Sequence, residues 1–258
     1  MDWEKTVFVA EIAGVPIEIR ARFTVNKAFF SDWFSKKEPE LVIEPEWEDL
    51  ERIRVSFEQA AAAEGRKPAE YRHWFLENNA IHDLIADGLV SKNVLLMHGS
   101  ALSLDGQAYL FTAPSGTGKS THTRLWREAF GSRVTMINDD KPMLRVEEDR
   151  VVCYGTPWNG KHHLGVNVSA PLSAIVAIER AEENRIAPIG PSEAFPILLR
   201  QVYSPRSAEL MRRTLGLEQR ILQLVRFFRL GCNMEKEAAF AAYNGICAAG
   251  QSEEASEE

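Results

Sequence analysis

The sequence predicts an α/β fold: a core sheet, helices towards the C-terminal end and a β-rich N-terminal appendage. Three observations predict it. Short apolar runs of strand length recur between residues 94 and 154, and Ala174–Ile178 is apolar without a break, as in a strand buried on both faces. Apolar residues at helical spacing fill 207–225. Between them, Tyr109-Leu110-Phe111 stops at Thr112-Ala113-Pro114-Ser115-Gly116-Thr117-Gly118-Lys119-Ser120-Thr121, and an amphipathic segment, His122 to Phe130, follows. That strand, small-residue turn and helix form the context of a phosphate-binding P-loop.

The elements follow in order. Thr6–Ile12 and Pro16–Phe23 read as a hairpin turning at Ala13-Gly14, with Val15, Ile17, Ile19 and Ala21 alternating with polar partners. Phe29, Phe30, Trp33 and Phe34 form an aromatic cluster suited to packing, and Leu41-Val42-Ile43 a short strand. An Ala/Glu-rich patch from Glu58 breaks at Gly65-Arg66-Lys67-Pro68, and Pro68 opens a helix whose buried face carries Tyr71, Trp74, Phe75, Ile81, Leu84, Ile85 and Leu89. His73 and His82 have no acidic partners at ligand spacing and read as surface or packing residues. Strands are predicted at Val94–Met97, Ala101–Leu104 and Ala108–Phe111, the last two joined by the Asp105-Gly106 hairpin signal. After the loop's helix come Val134–Ile137, Met143–Val146 and Val151–Tyr154, then Ala174–Ile178. Helices follow at 192–203 and 207–225, a strand at Phe227–Leu230 and a helix at Met234–Ile246. The expected organisation is an appendage over 1–67, a P-loop core over 68–247 and a disordered acidic tail over 248–258.

The loop carries the chemistry. Glycines let the backbone curl so that the N–H groups of Ser115, Gly116, Thr117, Gly118, Lys119, Ser120 and Thr121 point at phosphate oxygens, and the helix adds the positive end of its dipole. Lys119 would reach the β- and γ-phosphates, and the Ser120 hydroxyl would sit on Mg²⁺. Ala113 replaces the first glycine of the usual pattern, and alanine fits there while φ stays negative. Asp139 and Asp140 end the next strand, twenty residues beyond Lys119. At the carboxyl end of a strand they would lie beside the phosphates, one as Mg²⁺ ligand and the other as base for an incoming hydroxyl. His98-Gly99 follows an earlier strand, and Gly99 suggests a close backbone approach. In Thr156-Pro157-Trp158-Asn159-Gly160-Lys161-His162-His163, Lys161 would meet a phosphate or a developing charge. Trp158 either stacks on a base or acceptor or simply packs. His162 and His163 are adjacent and make a poor metal pair. Arg200 and Arg206 read as surface arginines with an acceptor site as the alternative.

Bulk composition narrows the class. The chain has 258 residues, 45% hydrophobic and 26% charged, enough for a sizeable core, and a net charge of −7 that argues against nucleic acid or an anionic membrane as partner. Three separated cysteines without a C-x-x-C pair read as free thiols in a reducing compartment. Met1-Asp2-Trp3-Glu4-Lys5 is charged where a signal peptide is apolar, and no apolar run approaches the ~20 residues of a membrane span, so a cytoplasmic location is expected.

The set His98-Gly99, Ser115–Ser120 and Asp139-Asp140 resembles the HPr kinase/phosphorylase and phosphoenolpyruvate carboxykinase superfamily over residues 94–180, roughly a third of the chain. The resemblance implies that His98 tunes Asp139, that Asp139 is the catalytic base and that Asp140 holds the metal. Thr156–His162 and Arg229–Asn233 are similar to segments of a bacterial HPr-kinase-like group, some of whose relatives look like kinases of a serine in a ribosomally made peptide. Thr156–Leu164 stands where HPr kinases carry a Gly/Arg signature, the basic segment of the reverse reaction has no counterpart, and the carboxykinase's decarboxylation ligands are not evident. The implied activity is therefore an ATP- and Mg²⁺-dependent kinase acting on an acceptor hydroxyl. The acceptor is a serine of a peptide or small protein, with a small metabolite as alternative. From another class, a nucleotide-gated binding module would hold phosphates without transfer. Whether the chain forms a homo-oligomer stays open.

Overall fold

The computed structural model describes the backbone of residues 5–257 and the side chains of residues 5–250. The N-terminal charge pattern is an expectation about residues 1–5, of which the first four lie outside the described set. The chain divides into two compact units, Met1–Lys92 and Asn93–Glu258. Among the described residues no helix is long and apolar enough to cross a membrane.

In the first unit, β1 (Thr6–Ile12) and β2 (Val15–Ala21) pair antiparallel. Their turn needs left-handed backbone at both central residues, Ala13 (φ 51°) and Gly14 (φ 76°). After α1 (Thr24–Phe29), β3 (Leu41–Ile43) adds parallel to β2. Two longer helices follow, α2 (Trp47–Ala63) and α3 (His73–Val90), packed through Leu50, Ile53, Leu76 and Ala80. The fully buried Glu77 of α3 accepts from the Arg22 and Phe23 backbone N–H groups and from Asn26 Nδ2, which fixes the start of α1. The β-rich description of residues 1–67 is therefore corrected. The seventeen-residue α2 outweighs the three-residue β3 beside the hairpin. A capping box between Glu46 and Asp49 marks where α2 begins. Pro68 does not open a helix: α3 starts at His73, where Leu76 and Ala80 come to face α2.

The second unit is built on one hub strand. Its elements begin with β4 (Val94–Leu96), β5 (Ser100–Leu104), β6 (Gln107–Thr112) and α4 (Lys119–Phe130). There follow β7 (Val134–Asn138), β8 (Met143–Val146), β9 (Val151–Tyr154), β10 (Ser169–Arg180) and β11 (Arg185–Pro188). Last come α5 (Pro191–Gln201), α6 (Ala208–Leu224), β12 (Arg226–Cys232) and α7 (Glu237–Glu257). The start of β10 continues an antiparallel β4-β8-β9 layer, whereas its apolar second half lies parallel to both β6 and β12. Ala174, Ile175 and Val176 are fully buried, as a central parallel strand requires. β5 is antiparallel to β6 and β7 to β5, so β6, β7, β10 and β12 all point one way. Their carboxyl ends share one edge of the sheet. On one face α4 and α7 close over Phe111, Trp126, Val176 and Phe228. The helix α7 continues through residues 248–257, where a disordered tail is expected.

Candidate active site

β6 ends at Thr112, and the chain turns through residues 113–118 into α4 at Lys119. Gly116 (φ 77°) and Gly118 (φ 132°) take backbone angles that L-residues rarely adopt, although a Cβ on either would meet nothing within 4 Å. Glycine is needed here for conformation and not for space. Ala113 is not among the positive-φ residues, which is why alanine is accommodated. Gly118 caps α4, whose first N–H groups have no intrahelical acceptor and are open to an anion. Lys119 is buried and donates from Nζ to the Ala113 carbonyl at 2.9 Å, crossing the curl of the loop. Burial lowers its pKa, partly opposed by the Asp140 charge. From the end of β10, Arg180 donates to the carbonyls of Thr117 (3.1 Å) and Gly116 (2.5 Å) and so fixes the loop from outside.

The acids come from the end of β7. Asn138 is fully buried, and its Oδ1 accepts from the backbone N–H groups of Asp140 (2.8 Å) and Lys141 (2.6 Å). Its Nδ2 lies 3.1–3.2 Å from Thr156 Oγ1 and from the carbonyls of Thr156 and Trp158. One amide therefore joins the Asp-Asp turn to the 156–165 loop. Asp139 turns into the protein, and its Oδ1 accepts from the Gly160 N–H at 2.7 Å. Asp140 turns the other way, with Oδ1 3.5 Å from His98 Nε2 and Oδ2 3.7 Å from Lys141 Nζ. Burial alone would raise the Asp140 pKa. The His98 hydrogen bond and the charges of Lys141, His98 and Lys119 outweigh it and hold the carboxyl below its ordinary value.

His98 is held at the same edge. Its backbone N–H donates to the Gln201 carbonyl (2.7 Å), its Nδ1 lies 3.0 Å from Gln201 Oε1, and its carbonyl accepts from Thr112 Oγ1 (3.1 Å). A Cβ on Gly99 would lie 3.1 Å from the Phe111 carbonyl, the close approach expected of that glycine. The expectation that His98 tunes Asp139 is corrected: its partner is Asp140. In the turn that Asn138 closes after β7, Asp139 is taken up by the Gly160 N–H and Asp140 by the histidine.

A cavity of about 1000 Å³ gathers His98, Asp139, Asp140, Lys119, Lys161 and every residue from Ser115 to Thr121 except Thr117. Thr117 faces instead two smaller cavities of about 440 and 390 Å³ on the far side of the loop. Trp158 lies outside the lining and is buried at 8% exposure. Arg124, Arg127, Asn159, Gly160, His162 and Leu164 complete the lining. Arg124 and Arg127 were legible in principle, because they follow Ser120 at helical spacing (i+4, i+7). Asn138, Arg180 and Gln201 carry no such signal, since their partners come from distant parts of the chain. His122, beside the loop, belongs to the core: burial lowers its pKa to about 4, and Nε2 accepts from Trp126 Nε1 at 2.9 Å.

Among the described residues no group of three or more His, Cys, Asp or Glu side chains is placed to hold a metal. The Ser120 hydroxyl and the ionised Asp140 in one cavity fit a Mg²⁺ ion that takes its other ligands from phosphates and water.

No protein-family model matches the chain, and no curated protein matches it in sequence. Among solved structures, the HPr(Ser) kinase/phosphatase from Coxiella burnetii is similar over 62% of this chain and 98% of that one. The identity is 10% and the TM-score 0.36. The site's own geometry supplies a curled loop and helix N-terminus for an anion, two carboxylates of different surroundings, and a buried lysine in the same cavity.

Proposed function

We propose that this chain is an ATP- and Mg²⁺-dependent phosphotransferase that moves the γ-phosphoryl group to an acceptor hydroxyl, a serine of a peptide or small protein. The observation that carries the reading is that Lys119, the loop, Asp139 and Asp140 line one cavity. The loop and α4 N–H groups bind and orient the triphosphate, and Lys119 balances charge that develops on it. Ser120 and Asp140 would hold Mg²⁺, which supplies charge neutralisation to the phosphates. With Oδ1 fixed by Gly160, Asp139 presents Oδ2 as the base. The acceptor oxygen forms a bond to the γ-phosphorus, the bridging P–O bond breaks, and ADP leaves with the electron pair. The acceptor proton passes to Asp139. His98 positions Asp140 through Nε2 and is itself positioned by Gln201. The serine acceptor follows from the sequence resemblance, and a cytoplasmic location from the three free cysteines.

Asp139→Asn tests the reading. Transfer of label from γ-labelled ATP to candidate peptides should fall by about 10²–10⁴, the usual contribution of a general base, while nucleotide affinity measured by calorimetry stays within about threefold. Lys119→Ala should weaken nucleotide binding as well. Unchanged transfer in Asp139→Asn would sink the assignment of the base, and nucleotide binding with no acceptor ever labelled would leave a binding module.

A further inference from the structure

The cavity extends well beyond the phosphate loop, and its far part is cationic. Ser120, Arg124 and Arg127 share one face of α4 at i, i+4 and i+7. Arg127 therefore stands about 10 Å along the helix axis from Ser120, past the point where helix N–H groups serve a phosphate. Its Nε is buried and has no partner among the described residues, an unusual condition for a guanidinium. Arg124 is bound to Glu128 at 2.5 Å on the same helix. The lining also includes Lys161 and His162, which follow Gly160, the residue bonded to Asp139. Charged side chains of the lining are four cations, Lys119, Arg124, Arg127 and Lys161, against Asp139 and Asp140 alone. Both carboxylates belong to the loop end, where Asp140 already has His98 and Lys141 beside it. At the far end Glu128 engages Arg124 from outside the lining, and the lining itself brings no carboxylate to Arg127.

We infer that this far part of the cavity, lined by Arg127 and Arg124, binds an anionic group that the acceptor carries close to its hydroxyl. Its shared chemistry is a carboxylate or a phosphate, either of which a guanidinium holds through paired, charge-assisted hydrogen bonds. The interpretation as an acceptor site rests on the kinase reading; the anion site itself does not. The acceptor is then an anionic hydroxyl compound, and a neutral serine residue without a neighbouring anion is a poor substrate. Closing the charge imbalance also seats the hydroxyl side of the acceptor towards Asp139.

The test is calorimetric titration of the full chain with inorganic phosphate and, separately, acetate, while a non-hydrolysable ATP analogue with Mg²⁺ occupies the loop. One saturable anion site is expected, at least tenfold weaker in Arg127→Gln and unchanged in Arg212→Gln, an exposed position on α6 outside the cavity. Thermal melting of Arg127→Gln should match the parent chain, which separates a lost contact from a lost fold. Tighter phosphate than acetate assigns a phosphate-bearing acceptor, and the reverse assigns a carboxylate. Absence of saturable binding, or equal binding by Arg127→Gln, overturns the inference. Should the analogue itself not bind, the kinase reading fails separately. The same phosphate titration in a Lys119→Ala background, with and without Arg127→Gln, still decides the anion site.

Discussion

Asn138 shows how much of the site rests on a single side chain. A fully buried amide satisfies acceptors and donors on both the Asp-Asp turn and the 156–158 segment, and alanine would leave those backbone groups without partners in a dry interior. Each lost neutral bond costs about 1 kcal/mol, and each stranded buried group about 1–3 kcal/mol. Asn138→Ala should therefore lower unfolding free energy by roughly 3 kcal/mol or more, measured by urea denaturation. Transfer activity should fall beyond what the remaining folded fraction explains, because Asp139 loses its fixed relation to Gly160. Activity proportional to the folded fraction would count against Asn138 as a positioning residue. The glycines nearby have the same logic: a Cβ on Gly155 would lie 2.0 Å from the Val166 carbonyl and one on Gly165 2.0 Å from Asn159 Oδ1. None of this is visible in the sequence around Asn138, which reads only as the residue before two acids.

At the scale of elements, α6 keeps only part of its expected apolar face. The sequence places Leu210, Met211, Leu215, Leu217, Ile221, Leu222 and Val225 largely on one side. Leu217, Ile221 and Val225 are buried, Leu210, Met211 and Leu215 only partly, and Thr214 and Glu218 are buried beside them. Glu218 Oε2 and Thr214 Oγ1 are buried without hydrogen-bond partners among the described residues. Burial raises the Glu218 pKa from 4.5 to about 7. The folded chain thus holds a proton that the unfolded chain releases between those values, so stability falls as pH rises from 4.5 to about 7 and the full penalty remains above it. That shift corresponds to about 3 kcal/mol. Glu218→Gln should be the more stable protein at pH 8.5 by up to that amount and nearly equal to the parent at pH 4.5, in paired denaturation curves. A constant difference across the two pH values would show that Glu218 has the same pKa in the folded and the unfolded chain. The helix α2 teaches the complementary lesson, since its Glu46/Asp49 capping box is local and was available to read, whereas the Ala/Glu composition alone suggested only a patch.

The whole molecule has separate hydrophobic clusters in its two units, one around Leu50 and Leu76 and one around Phe111 and Trp126. A ligand that binds only the folded cavity stabilises the unit that holds it. At 100 times its Kd, Mg·ATP should add about 2.7 kcal/mol to the C-terminal unit. Calorimetric scans should show the transition of that unit moving upward with nucleotide and not in Lys119→Ala, and a nucleotide-insensitive melt in the parent chain would contradict the proposed site. The sequence by itself determined what depends on local geometry and period. The strands β8 and β9, the hairpin turns at Ala13-Gly14 and Asp105-Gly106, and the loop running into α4 follow from alternation, turn residues and backbone conformations that neighbouring residues dictate. Tertiary structure decided what depends on residues far apart in the chain: the division after Lys92, the pairing of β11 with β12, the choice of Asp140 over Asp139 as partner of His98, and the burial of Trp158. Periodicity says which side of an element is apolar, but the direction in which a side chain meets its partner is set only when distant strands bring their ends to one edge.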